Sequence, residues 1–222
     1  LGGEDPALWK ALARAEWPKR DLDAELLRKL DVQQSVNQYG EGELIRVAET
    51  PRAGRRRVWK DESGSFQEQY EALPTYYVLE SYGKALDKRL AITFDDGPDR
   101  EFTPRILDIL KEKNVQATFF VVGANAEGAP DLLRRIYAEG HEIGNHSYSH
   151  PNIALTSPER TRLELDATQR IIEHALGRST ILFRPPYNAD SEPQTPGEIE
   201  PVRRAQESGY LSVGERIDPQ DW

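Results

Sequence analysis

Two pairs of side chains in this sequence could do chemistry together. His146 and His150 lie four apart in "GNHSYSHP", and Asp95 and Asp96 are adjacent in "TFDDGP". A spacing of four brings two imidazoles to one side of a helix or a strand. Alone, the histidine pair reads either as a metal pair or as two polar loop residues beside Ser147 and Ser149. Adjacent carboxylates after an apolar strand are costly to hold together without a cation or a shared proton. Their plain alternative is an Asp-Gly-Pro turn capped by Asp95. Taken together, the two pairs suggest a division of labour. One aspartate completes a His-His-Asp set on a divalent metal, and the other acts on the metal-bound water. Three N/O ligands with an open fourth position is the pattern of a catalytic zinc site. The metal lowers the pKa of its water, and the free carboxylate accepts the proton.

"FRPPYN" adds Arg184, held in direction by Pro185 and Pro186, which stiffen the loop. It can pair with a carboxylate and keep it ionised, or it can belong to an ordinary rigid surface turn. The chain closes on "DPQDW", where Trp222 reads as a sugar-stacking platform or as core filler beside Asp221. His141 reads as a buried, hydrogen-bonded histidine. His174, near Gly177, suits the dipole at a helix C-terminus and needs no further role. Arg55–Arg57 read as a solvated strand edge before an anion site.

The elements that position these groups change character along the chain. Residues 4–30 read as two helical pieces, "DPALWKALARAEW" and "DLDAELLRKL". "ELIRVAET" and "RRRVWKDE", joined by "PRAG", read as a hairpin. From Leu90 strands and helices alternate. "LAITF" is a short buried strand, followed by a helix with Thr103 as N-cap and Pro104 in its first turn. "ATFFVV" is a strand, "PDLLRRIYAEG" a helix closed by Gly140, and "HEIGN" a weak strand. A long helix then stops at Gly177. "ILFR" is a strand, "GEIEPVRRAQESG" a helix with Pro201 near a first turn or kink, and "YLSVG" a strand. This βα order predicts an α/β fold with a parallel sheet. Asp95 and Asp96, the two loop histidines, Arg184 and the terminal acids all follow strand C-termini. Contributions from several strands favour barrel-like closure over one switch point.

"TFDDGP", "HSYSH" and "RPPY", in this order and after successive strands, resemble the NodB-like polysaccharide deacetylases of carbohydrate esterase family four. The resemblance covers roughly residues 87–222 and implies a deformed (β/α) barrel that hydrolyses N-acetyl groups on extracellular glycans. It makes Asp95 the general base; Asp96, His146 and His150 the ligands of a divalent metal, Zn2+ first; and Arg184 the group that orients Asp95. It also implies that the Tyr187 backbone N–H helps to bind the oxyanion. In the "DPQDW" motif it has Trp222 line the pocket and Asp221 contact the family's acid histidine.

Two departures stand out. Asn188 replaces the glycine usual after the tyrosine, and the family's Leu-x-His, which supplies the general acid, has no counterpart. The deacetylase domain is therefore expected to be incomplete within these 222 residues. The alternatives to a deacetylase are a weak or silent glycan-binding module of the same fold and an amidase for small cyclic amides. Residues 1–36 resemble the end of a family-eighteen glycoside hydrolase barrel. Residues 37–86 resemble the linker of bacterial fusions that join hydrolase-like, deacetylase and glycosyltransferase domains.

Composition sets the outer limits. Apolar residues make up 37% of the chain, enough for a core, and no run reaches a membrane span of roughly 20 residues. A net charge of −9 argues against a nucleic-acid footprint, and an acetylated polysaccharide as partner is what the resemblance implies. With no cysteine, disulfides, thiolate catalysis and Cys-type zinc sites are excluded. The chain starts at Leu1 and has no Met, so it shows nothing of a leader; an extracytoplasmic or cell-envelope location comes from the resemblance alone.

Overall fold

A computed structural model describes residues 29–30, 36–84, 89–188, 193, 195–215 and 217–219. The helices predicted over 4–28, and Asp221 and Trp222, lie outside the described residues. The chain divides into two compact units, one of residues 1–31 with 53–74 and one of residues 32–52 with 75–222.

Six strands come first: β1 (Lys29–Leu30), β2 (Val36–Gly40), β3 (Leu44–Glu49), β4 (Gly54–Lys60), β5 (Phe66–Ala72) and β6 (Tyr77–Tyr82). Lys29 and Leu30, read from the sequence as the end of a helix, instead pair antiparallel with β4. The expected hairpin of β3 with β4 does not form. β4 pairs with β1 and β5, whereas β3 pairs with β6 and with a strand from the C-terminal part. Turn chemistry explains the difference, because the tight turn lies after β4 and not at "PRAG". The Asp61 carboxylate accepts the backbone N–H groups of Ser63 and Ser65 at 2.9 and 3.0 Å. "PRAG" marks instead where the chain leaves the larger unit. There Thr75 N–H donates to the Arg52 carbonyl at 2.9 Å, and Arg52 N–H to the Thr75 hydroxyl at 2.8 Å.

In the larger unit the alternation continues as β7 (Thr93–Phe94), α1 (Phe102–Lys113), β8 (Thr118–Val121), α2 (Gly123–Gly128), α3 (Pro130–Ala138), β9 (Glu142–Asn145), α4 (Pro158–Leu176), β10 (Leu182–Phe183), α5 (Pro196–Glu207) and β11 (Leu211–Val213). The sheet runs β2-β6-β3-β11-β10-β9-β8-β7. From β7 to β11 every pairing is parallel, as the alternation predicts, while β3 joins β11 and β6 antiparallel. The α/β fold is therefore a mixed, curled sheet in which the parallel part carries the helices.

Local chemistry fixes the ends of the helices. Ser157 caps α4 through Arg160 N–H, Pro158 opens it, and Gly177, at φ 68°, ends it where the sequence predicts. At α1 the expected cap moves. Asp99, not Thr103, accepts the first N–H groups, from Glu101 and Phe102 at 2.8 and 2.7 Å. Thr103 is buried, and its hydroxyl accepts Asp99 N–H. α2 was not foreseen in the sequence. "LAITF" is also shorter and wetter than expected. β7 holds only Thr93 and Phe94 and is an edge strand among the described residues, and Leu90 and Ile92 are exposed.

The core packs Leu107, Phe119, Val121, Leu133, Ile136 and Ile172 from the helices and the parallel strands. Each such side chain contributes about 1.5–3 kcal/mol by leaving water. Ile45, Val47 and Leu79 pack with Ile199 and Val202 of α5, so β3 and β6 share a core with the βα part.

Candidate metal centre

The chemistry-bearing residues converge where the parallel strands end. Asp95 and Asp96 follow β7, His146 and His150 follow β9, and Arg184 and Tyr187 follow β10. The His150 Nε2 lies 3.0 Å, and the His146 Nε2 3.4 Å, from the same oxygen, Oδ1 of Asp96. One ligand atom from each of Asp96, His146 and His150 lies within 4.8 Å of the others. A tetrahedral zinc site with bonds of about 2.0–2.1 Å keeps its donor atoms about 3.3 Å apart. The two Asp96 contacts suit that spacing, and the donor set of two imidazoles and a carboxylate suits a borderline divalent cation.

Each histidine is set by its backbone. Asn145, fully buried at the end of β9, donates from Nδ2 to the Leu165 carbonyl at 2.9 Å and to the Tyr210 hydroxyl at 3.0 Å. Its Oδ1 accepts Ser147 N–H at 2.9 Å, which turns the chain immediately after His146. His146 is buried and donates from Nδ1 to the Arg184 carbonyl at 2.7 Å, so Nε2 is the nitrogen left to face Asp96. That bond fixes the tautomer a metal ligand needs. His150 is more open, and the edge of its ring meets Tyr187 at 4.8 Å between centroids. Asp96 has φ 68°, and its carbonyl accepts the Asn125 amide of α2 at 2.7 Å. The hydrogen bond with His146 is the largest influence on the Asp96 carboxyl. It holds the group below the usual carboxylate range against partial burial, with help from both imidazoles.

Asp95 is placed differently. Its Oδ1 accepts Arg184 Nη1 at 2.9 Å, while Oδ2 stands 3.9 Å from His146 Nε2. Arg184 is itself buried, and its guanidinium binds on two sides. Nη1 also donates to Thr93 Oγ at 2.8 Å, Nε to the Val213 carbonyl at 3.1 Å, and Nη2 to the Gly214 carbonyl at 3.0 Å. The Phe120 ring lies 4.4 Å beneath it. In a flat sheet β7 and β10 would be about 14 Å apart, at about 4.8 Å per strand. The Arg184 side chain bridges that span, joining the end of β10 to Thr93 of β7 and to Val213 and Gly214 at the end of β11.

Of the residues singled out in the sequence, the structure thus gathers Asp95, Asp96, His146, His150, Arg184 and Tyr187. His141 stands apart, buried, accepting Ala117 N–H at Nδ1 over 3.2 Å, and His174 lies in the last turn of α4. Thr93 and Asn125 were missed. Thr93 had a signal, since it lies two residues before Asp95, at the start of the strand that Asp95 follows. Asn125 had none, because its helix was not foreseen.

The polysaccharide deacetylase family profile matches residues 82–195 of this chain. The peptidoglycan-N-acetylglucosamine deacetylase of Bacillus cereus is 44% identical over 141 residues, 64% of this chain and 48% of that protein. The chitooligosaccharide deacetylase of Sinorhizobium fredii is 36% identical over 132 residues, 59% of this chain and 58% of that protein. Among solved structures, a family 4 carbohydrate esterase from Streptomyces lividans in complex with acetate is similar at a TM-score of 0.54 and 33% identity, over 62% of this chain and 68% of that one. The chain therefore spans less than two thirds of the length of either of these two relatives.

Proposed function

The chain belongs to the polysaccharide deacetylase family, and we propose that it hydrolyses N-acetyl groups on a polymer containing N-acetylglucosamine, with Asp96, His146 and His150 holding Zn2+. The observation that carries this reading is the meeting of both imidazole Nε2 atoms on one Asp96 oxygen, with Asp95 beside them and fastened to Arg184. A divalent cation at that site supplies Lewis acidity, which lowers the pKa of water and polarises the acetyl carbonyl.

The other parts belong to the protein. Asp95 has one oxygen bound by Arg184 and the other directed toward the histidines, so it is the group that accepts the attacking water's proton. Arg184 fixes Asp95 in direction through the Nη1–Oδ1 hydrogen bond. Tyr187, at φ 64° and beside His150, has the backbone N–H that would hydrogen-bond the developing oxyanion. The substrate class is supported by relatives whose names specify peptidoglycan and chitooligosaccharide. Those substrates also favour action at the cell envelope. No helix among the described residues is long and apolar enough to cross a membrane.

A second reading, glycan binding with weak or no turnover, has one observation in its favour. The remaining histidines of this chain, His141 on Ala117 N–H and His174 in the last turn of α4, lie outside the group formed by Asp96, His146 and His150.

One set of measurements separates the readings: zinc stoichiometry and affinity, with acetate release from N-acetylglucosamine oligomers and peptidoglycan. The wild type, Asp96→Ala, His150→Ala and Asp95→Asn would be compared. The expected pattern is one tight zinc in the wild type, lost in Asp96→Ala and His150→Ala. Asp95→Asn should keep zinc and lose acetate release. Zinc without acetate in the wild type would favour the binding reading, and no zinc in the wild type would overturn the metal centre.

A further inference from the structure

Carboxylates are almost never fully buried unless they are paired. Glu164, in the middle of α4, has a side chain only 2% exposed and takes no part in the chemistry above. Its partners are on the histidine loop. Oε2 accepts the backbone N–H groups of Tyr148 and Ser149 at 2.9 and 2.6 Å, and Oε1 accepts the Ser149 hydroxyl at 2.7 Å. Arg160, one helical turn earlier, closes the set at 2.5 Å and also reaches the Ser149 hydroxyl at 3.0 Å.

We infer that Glu164 is a positioning residue for the metal centre: a buried anion that caps the Tyr148–Ser149 backbone and thereby sets where His150 stands relative to His146. This rests on the reading of Asp96, His146 and His150 as metal ligands. The loop is neither helix nor strand, and left-handed residues flank the capped pair, Ser147 at φ 66° and His150 at φ 57°. Two successive N–H groups converging on one anionic oxygen form a nest, which holds a backbone turn that ordinary residues would otherwise leave. His146 does not depend on this support. Its ring is tied to the Arg184 carbonyl, and its own N–H donates to the Val121 carbonyl at 2.9 Å. His150 is connected through the capped segment, with its N–H on the Ser147 hydroxyl at 3.2 Å. Desolvation, the largest influence on the Glu164 carboxyl, pushes its pKa up. The Ser149 donors and Arg160 outweigh it and keep the group below the usual range, hence anionic.

Neither conservative replacement reproduces the cap. Glutamine puts an NH2 donor where an acceptor oxygen was, so it faces either the two N–H groups or the hydroxyl and guanidinium. Aspartate keeps the charge but falls one methylene short.

The test compares wild type, Glu164→Gln, Glu164→Asp, His150→Ala and Ile172→Ala. Zn2+ affinity is measured by chelator competition, the visible spectrum is recorded with Co2+, and thermal unfolding is followed in parallel. Ile172 is buried on the same helix and packs in the core away from the loop, so Ile172→Ala lowers stability by a route independent of the cap. Glu164→Gln should bind Zn2+ at least about ten-fold more weakly, as loss of an outer-shell partner does. Its Co2+ spectrum should depart from the wild-type site spectrum, which His150→Ala should lack altogether, and Ile172→Ala should keep wild-type affinity despite a lower Tm. Glu164→Asp should fall between Gln and wild type, and it decides the matter if Gln does not fold. Wild-type affinity and spectrum in a folded Glu164 variant would overturn the inference. So would an equal loss of affinity in Ile172→Ala, which would reduce the effect to general destabilisation. A wild type that binds neither metal would overturn the metal centre itself, and the inference with it.

Discussion

Replacing Arg184 by lysine keeps the charge and removes the fork. The guanidinium makes four hydrogen bonds to the protein, two on the Thr93 and Asp95 side and two on the Val213 and Gly214 side. A lysine ammonium donates from a single point and cannot serve both sides. Whichever side it chooses, two hydrogen bonds from a charged, 3% exposed donor are lost. At about 1.5–3 kcal/mol each, the expected loss is about 3–6 kcal/mol. Stacking over Phe120 would be weakened as well. For a chain of this size each kcal/mol moves Tm by about 2–4 °C, so Arg184→Lys should unfold at least about 6 °C lower. Asp95→Asn is the matched control. It touches one of the four bonds at a side chain 29% exposed, and it should lower Tm by less than half as much. Circular dichroism melts of the three proteins give the stabilities, and acetate release gives the activity, which should fall in both variants. If Arg184→Lys melts with the wild type, the guanidinium does not tie β7 to the end of β11. If Asp95→Asn costs as much as Arg184→Lys, the ion pair alone carries the effect.

Gly144 faces Phe120 across β8 and β9, and a Cβ built there would lie 2.3 Å from the Phe120 ring. Phe120 is fully buried under Arg184, so Gly144→Ala should destabilise by about 1–3 kcal/mol, and Phe120→Leu should recover part of it; strict additivity in a double-mutant cycle of Tm values would sink this. Glu200 is held below the usual glutamate range first by its hydrogen bond to Arg203, against desolvation, with Arg204 adding to it. A depressed folded-state pKa gives stability that is present above the ordinary glutamate value and is lost as pH falls through the lower folded value. Melts across that acid range should show a shallower fall for Glu200→Gln than for wild type, and parallel curves would count against the linkage.

The parallel part of the fold was legible because the chain spells it locally. Gly177 and Pro158 mark the ends of α4, and apolar strands alternate with amphipathic helices. The sequence also displayed which polar side chains would meet beyond the strand ends, since aspartates, histidines and an arginine there are rare enough to stand out. It did not display pairing partners. "ELIRVAET" and "RRRVWKDE" are adjacent in sequence with a turn between them, yet β3 pairs with β11, far along the chain, through Ser212–Ile45 and Val213–Leu44. Nothing local encodes such a contact, because it depends on the Ile199 and Val202 face of α5 arriving to cover Ile45 and Val47.

The least legible layer is the backbone of the metal centre. Among the described residues, five other than glycine have positive φ, and four of them, Asp96, Ser147, His150 and Tyr187, are in or beside the site. Glycine would take these positions without the steric cost of a Cβ, about 1–2 kcal/mol per residue. Yet two of the four, Asp96 and His150, hold side chains the site needs, so the chain must retain the cost and offset it nearby. The offsets are hydrogen bonds with neighbouring side chains. Asn125 donates to the Asp96 carbonyl, Asn145 accepts Ser147 N–H, and Glu164 binds the two N–H groups between Ser147 and His150. These are polar side chains from α2, β9 and α4, each unremarkable in sequence. Their common task follows only from the left-handed turns they hold. The candidate centre is therefore specified twice, once by the proposed ligands Asp96, His146 and His150 and once by the residues that keep the backbone where it would not otherwise stay. Substitutions in the second set should disturb metal affinity before they disturb the fold.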